Sequence, residues 1–408
     1  MGHQELIPHL FRTEYRKIVS VLIKRFGFDH IETAEDLTSD TFLTAAQVWG
    51  LNGLPNNPTA WLYNVASNKA KNYLKRKRLF DTKLAPELKK NYKDYIEPEI
   101  DLSPQNINDS QLQMMFAICD PIIPPETQIG LSLRILCGFG IEEIADAFLT
   151  NKETINKRLY RAKEKLREEQ IKIKMPEPSQ VEERLESVLM TIYLLFTEGY
   201  YSESQNSILR KDLCLEAMRL CMMLVENKIT NRPSVNALLA LMCFQASRFD
   251  ARLDNQGEPV LYEDQNENLW NPELISKGSY FLNCASTGNT VSKYHLEAAI
   301  AWWSTQKTDT NEKWENVLHL YDSLLKLEYS PVAALNRTYA ISKVQGKKEA
   351  IKEAEKLNMQ DSHFYFALLG ELYTGDNNEK ARQNLLKAIA LSRSDSGKKA
   401  FQSKLDKI

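Results

Sequence analysis

No stretch of this 408-residue sequence is apolar for long: the run "VLMTIYLLF" at 188–196, even counted through its threonine, is far short of the roughly 20 residues of a membrane span. The first residues, "MGHQELIPHLF", lack the basic start and apolar core of a secretory signal. Cysteine is scarce, and Cys119, Cys137, Cys214, Cys221, Cys243 and Cys284 form no Cys-x-x-Cys pair. They are expected as buried free thiols in a reducing compartment. The six histidines are dispersed, with no His-Glu-x-x-His and no phosphate-cradling glycine loop. Neither a metal, nor a cofactor, nor a catalytic arrangement is therefore expected, and the chain reads as a non-enzyme. Alternating strand patterns are almost missing too. These absences leave a soluble, cytoplasmic, all-α protein with no membrane partner.

What the sequence does have is helical periodicity and uneven charge. Its length suggests two to four domains. The 52 basic and 54 acidic residues nearly cancel, to a net charge of -2, but they are not evenly spread. Residues 69–93 carry ten Lys and Arg against two acids, whereas 94–109 is acidic. Such blocks say more about partners than the total does. Residues 1–80 read as helices broken at "LNGLPNNP" (51–58), and 81–109, with Pro86, Pro98 and Pro104, as a linker. Residues 110–172 are again compact and helical, "KIKMPEPSQ" (172–180) marks a boundary, and 181–408 is a long helical array. Within the array, 330–357 and 363–392 each give two helices with Gly346 or Gly375 in the turn. They are similar to tetratricopeptide-type pairs, whose repeat is about 34 residues. One exception to the helical rule is expected at 251–265, where a turn at 255–257 suggests a small hairpin.

The stretch "ETINKRLYRAKEKL" (153–166) carries the first functional signal. At about 100° per residue, Ile155, Leu159, Ala162 and Leu166 share one stripe. Thr154, Lys157, Arg158 and Arg161 lie opposite. Before it, "IEEIADAF" (141–148) has Ile141, Ile144, Ala145 and Phe148 at core spacing, and "LTNK" is the length of a helix-turn-helix turn. In that motif the second helix enters the major groove, where a guanidinium can bond two acceptors of guanine.

A second face lies in "PTAWLYNVASNKAKNYLKRKR" (58–78), with Asn57 placed to cap a helix that begins at Pro58. Asn64, Asn68, Lys71 and Lys75 fall within about 60° of one another on the wheel, with Trp61 at the edge. Amides for bases, lysines for phosphates and an aromatic for stacking suit single-stranded DNA. In the preceding helix, "TAEDLTSDTFLTAAQVW" (33–49), Ala34, Leu37, Ala45 and Val48 face the core. Asp36, Asp40, Leu43 and Gln47 face away, and a leucine among acids and an amide suits a protein contact.

Together these segments resemble RNA polymerase sigma factors of the extracytoplasmic-function (ECF) group. "AEDLTSDTFLTAAQVW" resembles region 2.2, which docks on the polymerase clamp. "PTAWLYNVASNKAKNYLKRKR" resembles region 2.4, which handles the -10 element. "GIEEIADAFLTNKETINKRLYRAKEKLR" (140–167) resembles region 4, which reads the -35 element. Where the family commonly has a clamp-facing glutamine this chain has Ser39, and where it often has serine before the recognition arginine it has Lys157. The resemblance implies core RNA polymerase and promoter DNA as partners. It also implies two small helical sigma domains, region 2 at 1–80 and region 4 at 110–172, ahead of the helical extension.

Residues 181–408 are similar to the C-terminal extension of one ECF subgroup, on "YLLFTEGY", "DLCLEAMRL" and "ALMCFQASRFDARLDNQGEPVLYEDQNENLW". This implies regulation by a fused, tetratricopeptide-like domain, with an intramolecular contact between it and the sigma domains. Arg248, Arg252, Glu263, Asp264, Gln265 and Trp270 crowd into one short stretch. They are candidates either for a regulatory recognition site or for the ion pairs that fasten a hairpin to its helix. The competing whole-chain reading is a helix-turn-helix DNA-binding regulator with a helical sensor domain, acting without polymerase.

Overall fold

Capping side chains decide where the helices begin. The computed structural model describes residues 3–84, 99–148, 150–200, 210–252, 260, 262–392 and 395–408. α1 (His3–Phe26) and α2 (Ile31–Asn52) are followed by α3 (Pro58–Leu84), which starts where Asn57 Oδ1 accepts the amide of Ala60 at 3.0 Å. α4 (Pro104–Ile118) begins where Ser103 Oγ accepts the amide of Asn106 at 3.3 Å. The end of the expected 81–109 linker is therefore helical, because a serine cap followed by proline starts a helix there. Residues 85–98 of that linker lie outside the described residues. α5 (Pro125–Leu131) runs into a wide turn in which Cys137 N donates to Ser132 O at 3.0 Å. α6 (Ile141–Ala147) and α7 (Lys152–Glu168) follow, and α8 spans Val181–Tyr200.

The chain forms two compact units, Met1–Thr191 and Ile192–Ile408. The first is built around α1, which packs on α2, α3 and α4. Tyr15, Ile18, Leu22 and Ile23 are almost wholly buried there, with Ile31, Leu62, Met114, Phe116 and Ile118. The division falls within α8, whose first residues belong to this unit. Arg184 bonds Asp120 at 3.0 Å and the carbonyl of Phe116 at 2.6 Å, and Thr191 Oγ1 donates to Gln128 Oε1 at 2.6 Å.

The second unit takes the end of α8 and continues with α9 (Lys211–Glu226), α10 (Pro233–Ala246), α11 (Pro272–Ala285) and α12 (Lys293–Trp303). α10 is buried on every side from Val235 to Phe244, as a helix apolar all round must be. α9, α11 and α12 pack against it. α13 (Asn311–Leu327) then leads into α14 (Pro331–Val344) with α15 (Lys347–Leu357), and α16 (His363–Tyr373) with α17 (Asn378–Leu391), closed by α18 (Asp395–Leu405). Gly346 and Gly375 take the positive φ of the turns, 91° and 85°, at little steric cost.

Among the described residues the fold is all-helical, without strands. The turn of the expected hairpin, 255–257, lies outside them. The chain does fold back, since Val260 N donates to Arg252 O at 2.8 Å. The described residues around it form single helical turns at Phe249–Ala251, Tyr262–Asp264 and Glu267–Leu269. Asn266 and Asn271 side chains take up the local amides, an alternative to ladder pairing. Five cysteines are buried and Cys284 is half-buried, all free. Burial pushes the Cys119 thiol up to about 11 and those of Cys214 and Cys243 up to about 12, which leaves them unreactive near neutrality. Among the described residues no helix is long and apolar enough to cross a membrane, and no cluster of side chains could hold a metal ion.

Candidate nucleic-acid interface

α7 is fixed at its start by Asn151, whose Oδ1 accepts the amide of Thr154 at 2.8 Å. Ile155, Leu159, Ala162 and Leu166 are buried as one stripe, so the helix can turn only one face outward. On that face Lys157, Arg158 and Arg161 are exposed and Thr154 is half-buried. Lys157 leans on Glu153 at 2.7 Å, an exposed pair of little energetic weight. Arg158 borders a shallow apolar depression lined by Gly130, Phe148, Ile155 and Leu159. α6 precedes α7 across a four-residue connection, 148–151, and the Glu142–Lys152 ion pair bridges it. Tyr160, 61% exposed on the same helix, was not singled out by the wheel.

On α3, Asn64, Asn68 and Lys75 are exposed and Lys71 is half-buried. Trp61 is also half-buried, its ring edge-on to the buried Trp49 at 5.3 Å. It is thus anchored on one side and open on the other. His30 and Lys77 meet at 2.5 Å near the far end of α3, and burial together with the Lys77 charge lowers the imidazole pKa.

Asp36, Asp40, Leu43 and Gln47 are all exposed on α2, spaced at successive helical turns. Leu43 is 57% exposed, and Leu51, one turn beyond Gln47, is 86% exposed. Sequence reasoning passed over Leu51 because it sits beside the Pro-Asn loop signal. Asp40 bonds Lys69 of α3 at 2.5 Å. The core side of α2 differs from expectation: Ala34 and Ala45 are buried and Leu37 and Val48 half-buried, while Thr38, Thr41, Phe42 and Trp49 carry the packing. Thr38 and Thr41 are tolerated there because their hydroxyls return to the carbonyls of Ala34 and Leu37.

In the second unit the candidate regulatory residues gather on aromatic rings. The Arg252 guanidinium lies 3.9 Å from the Tyr200 ring centre, and that of Arg248 lies 5.2 Å from the Tyr262 ring. Tyr262 stacks with Trp270 at 6.4 Å, and Gln265 Nε2 reaches the carbonyl of Val260 at 3.4 Å. Asp264 is exposed, and the Glu263 side chain lies outside the described residues. The sequence did not point to Lys313, which is only 4% exposed and donates to Tyr262 OH at 3.3 Å and Gln306 O at 3.0 Å. Burial lowers its pKa. Among the described residues, Arg248 Nε and Trp270 Nε1 are buried without an acceptor.

An amide-and-lysine helix face, an arginine-rich capped helix and an exposed Asp/Leu/Gln stripe thus lie together in the N-terminal unit. Residues 10–80 match sigma-70 region 2, which supports a sigma factor role with core RNA polymerase and promoter DNA as partners. Residues 184–286 match a family of unknown function, DUF6596. The chain belongs to the same family as the uncharacterized protein R00370 of Rhizobium meliloti (strain 1021), with which it is 32% identical over 387 residues, 93% of this chain and 91% of that one. It is 29% identical over 178 residues to RNA polymerase sigma factor YlaC of Bacillus subtilis (strain 168), a match that covers 42% of this chain and 96% of YlaC. No solved structure matches the chain.

Proposed function

We propose that this protein is a cytoplasmic sigma factor of ECF type whose C-terminal domain regulates it. Asp36, Asp40, Leu43 and Gln47 would dock on core polymerase. Trp61, Asn64, Asn68, Lys71 and Lys75 would capture the -10 element, and Thr154, Lys157, Arg158 and Arg161 would read the -35 element through the helix-turn-helix formed by α6 and α7. The observation that carries this reading is the pairing of two separate DNA-suited faces with one protein-suited stripe in a single N-terminal unit. A free-standing repressor has use for α7 but none for the amide-and-lysine face of α3. The role is one of positioning, with no bond made or broken by the chain.

The helix pairs from α14 to α17 would form a tetratricopeptide-like array within the regulatory extension. Regulation would pass through Arg248, Arg252 and their neighbours. Support comes from two cations at the Tyr262 ring, Arg248 and the buried Lys313, neither with a carboxylate in ion-pair range among the described residues. The Lys313 charge, which Asp309 and Glu267 offset only from beyond ion-pair range, would be stabilised further by an anion from outside. Co-purification with core polymerase, followed by run-off transcription from a matched promoter, tests the main reading. Tight site-specific DNA binding without polymerase, and no transcription with it, would favour the helix-turn-helix regulator instead.

A further inference from the structure

Three buried side-chain atoms without a hydrogen-bond partner among the described residues fall in one short stretch of the second unit: Arg248 Nε, Gln265 Oε1 and Trp270 Nε1. Ser247 O accepts the amide of Asn271 at 2.7 Å, so Arg248 and Trp270 flank a single backbone contact. The Tyr262 ring is their common neighbour, 6.4 Å from the Trp270 ring and 5.2 Å from the Arg248 guanidinium. Gln265 is held to the same stretch by Nε2, which donates to Val260 O at 3.4 Å. A carbonyl only accepts, so the amide cannot be turned round, and Oε1 is the atom left over.

A fourth group arrives from the start of α13. Lys313 Nζ lies 5.7 Å from the Tyr262 ring centre, and the residue is 4% exposed. Tyr262 OH and Gln306 O take two of its N–H groups, which leaves a third to donate. Burial lowers the Lys313 pKa; Asp309 and Glu267 oppose the fall, and the charges of Lys343 and Arg248 add to it. Arg248 is therefore within electrostatic reach of the ammonium. Arg248, Tyr262 and Gln265 are half-buried, so the cluster is open to solvent on one side.

The unmet groups define the chemistry of a ligand. A guanidinium, an ammonium and an indole N–H only donate, and two of the three are cations, so they suit an oxyanion. Gln265 Oε1 only accepts, and it needs a hydroxyl on the same ligand. A carboxylate or a sulfate brings acceptors without a donor near neutrality. Hydrogen phosphate brings both, and its tetrahedral oxygens can meet donors from several directions. On the reading of this cluster as regulatory, we propose that Arg248, Gln265, Trp270 and Lys313 form a site for a small phosphate with a hydroxyl donor, either hydrogen phosphate itself or a hydroxyl-bearing monoester.

The test is calorimetric titration of the full-length chain at fixed ionic strength with inorganic phosphate, glycerol phosphate and sulfate. Wild type should bind at least one of the phosphates saturably, and sulfate roughly tenfold more weakly, on the scale of one lost hydrogen bond. The tighter of the two phosphates identifies the source. Arg248→Ala and Trp270→Phe should each weaken phosphate binding by roughly tenfold, and Gln265→Leu should bring it down to the level of sulfate. Lys387→Gln, which removes an exposed charge beside Phe366, should bind as wild type does. Circular dichroism reports whether each variant is folded, and the comparison of phosphate with sulfate needs no variant. No saturable binding of either phosphate, or sulfate bound as tightly, would overturn the site. So would folded Trp270→Phe and Gln265→Leu that bind as wild type does, or an equal loss in Lys387→Gln. The regulatory reading fails separately, when wild type binds phosphate but run-off transcription is the same with and without it.

Discussion

Burial pushes the Glu297 carboxyl on α12 up to about 7 from an ordinary 4.5, against the opposing pull of the Tyr193 hydroxyl and Lys293. Folded protein therefore holds this proton where the unfolded chain has released it. The stability it contributes is complete below pH 4.5 and is lost as pH rises through about 7. The thermal midpoint of wild type should fall between pH 5 and pH 8 relative to that of Glu297→Gln, which mimics the protonated form. Parallel midpoints across that range would refute the assignment. At α7, Arg158→Ala with Arg161→Ala should lower use of a matched promoter by roughly tenfold or more, taking about 1–3 kcal/mol for a bidentate base contact. Retention of core polymerase on the variant should be unchanged in a pull-down. An equal loss of both would mean that α7 touches polymerase rather than DNA.

Helix crossings are the element-scale determinant, and one of them rests on a glycine. A Cβ at Gly370 on α16 would lie 2.7 Å from Leu385 Cγ on α17, in a pair whose core includes Leu369, Ala381 and Ala388. Gly370→Ala should destabilise the second unit by about 1–3 kcal/mol, the usual cost of overpacking, read as a lower urea midpoint. Much at this scale was legible in sequence. The buried stripe of α7, the Asn57 cap and the two helix pairs at 330–357 and 363–392 follow from periodicity and turn chemistry. What escaped was the inner polar edge of α7. A wheel separates apolar from polar positions, but it cannot say that Lys163 and Arg167 meet carboxylates more than 120 residues away. Lys313 escaped for the same reason: a lysine near a helix start reads as solvated until the surrounding aromatics are placed around it. The wide turn after α5 has no sequence signature that periodicity could find.

At the scale of the molecule, the two units meet within α8 in sequence, although composition suggested a break before it, at 172–180. The first turns of α8 satisfy groups of the N-terminal unit, with Arg184 on Asp120 and Thr191 on the buried Gln128. A chain cut at residue 180 would leave Asp120 without its guanidinium and Gln128 Oε1 without a donor, at about 1–3 kcal/mol for an orphaned buried group. It should therefore melt lower than one cut at residue 196, and only the longer fragment is a fair test of sigma activity without the extension. Equal melting would mean that these contacts carry no weight. The central claim, that this chain gives polymerase its promoter choice, is tested most directly by run-off transcription with purified core enzyme on promoters selected from a randomised library. The account predicts transcripts only when the chain is present, from templates sharing two conserved elements about 25 base pairs apart. Specific DNA binding by the chain alone, with no transcript from any template, would contradict it.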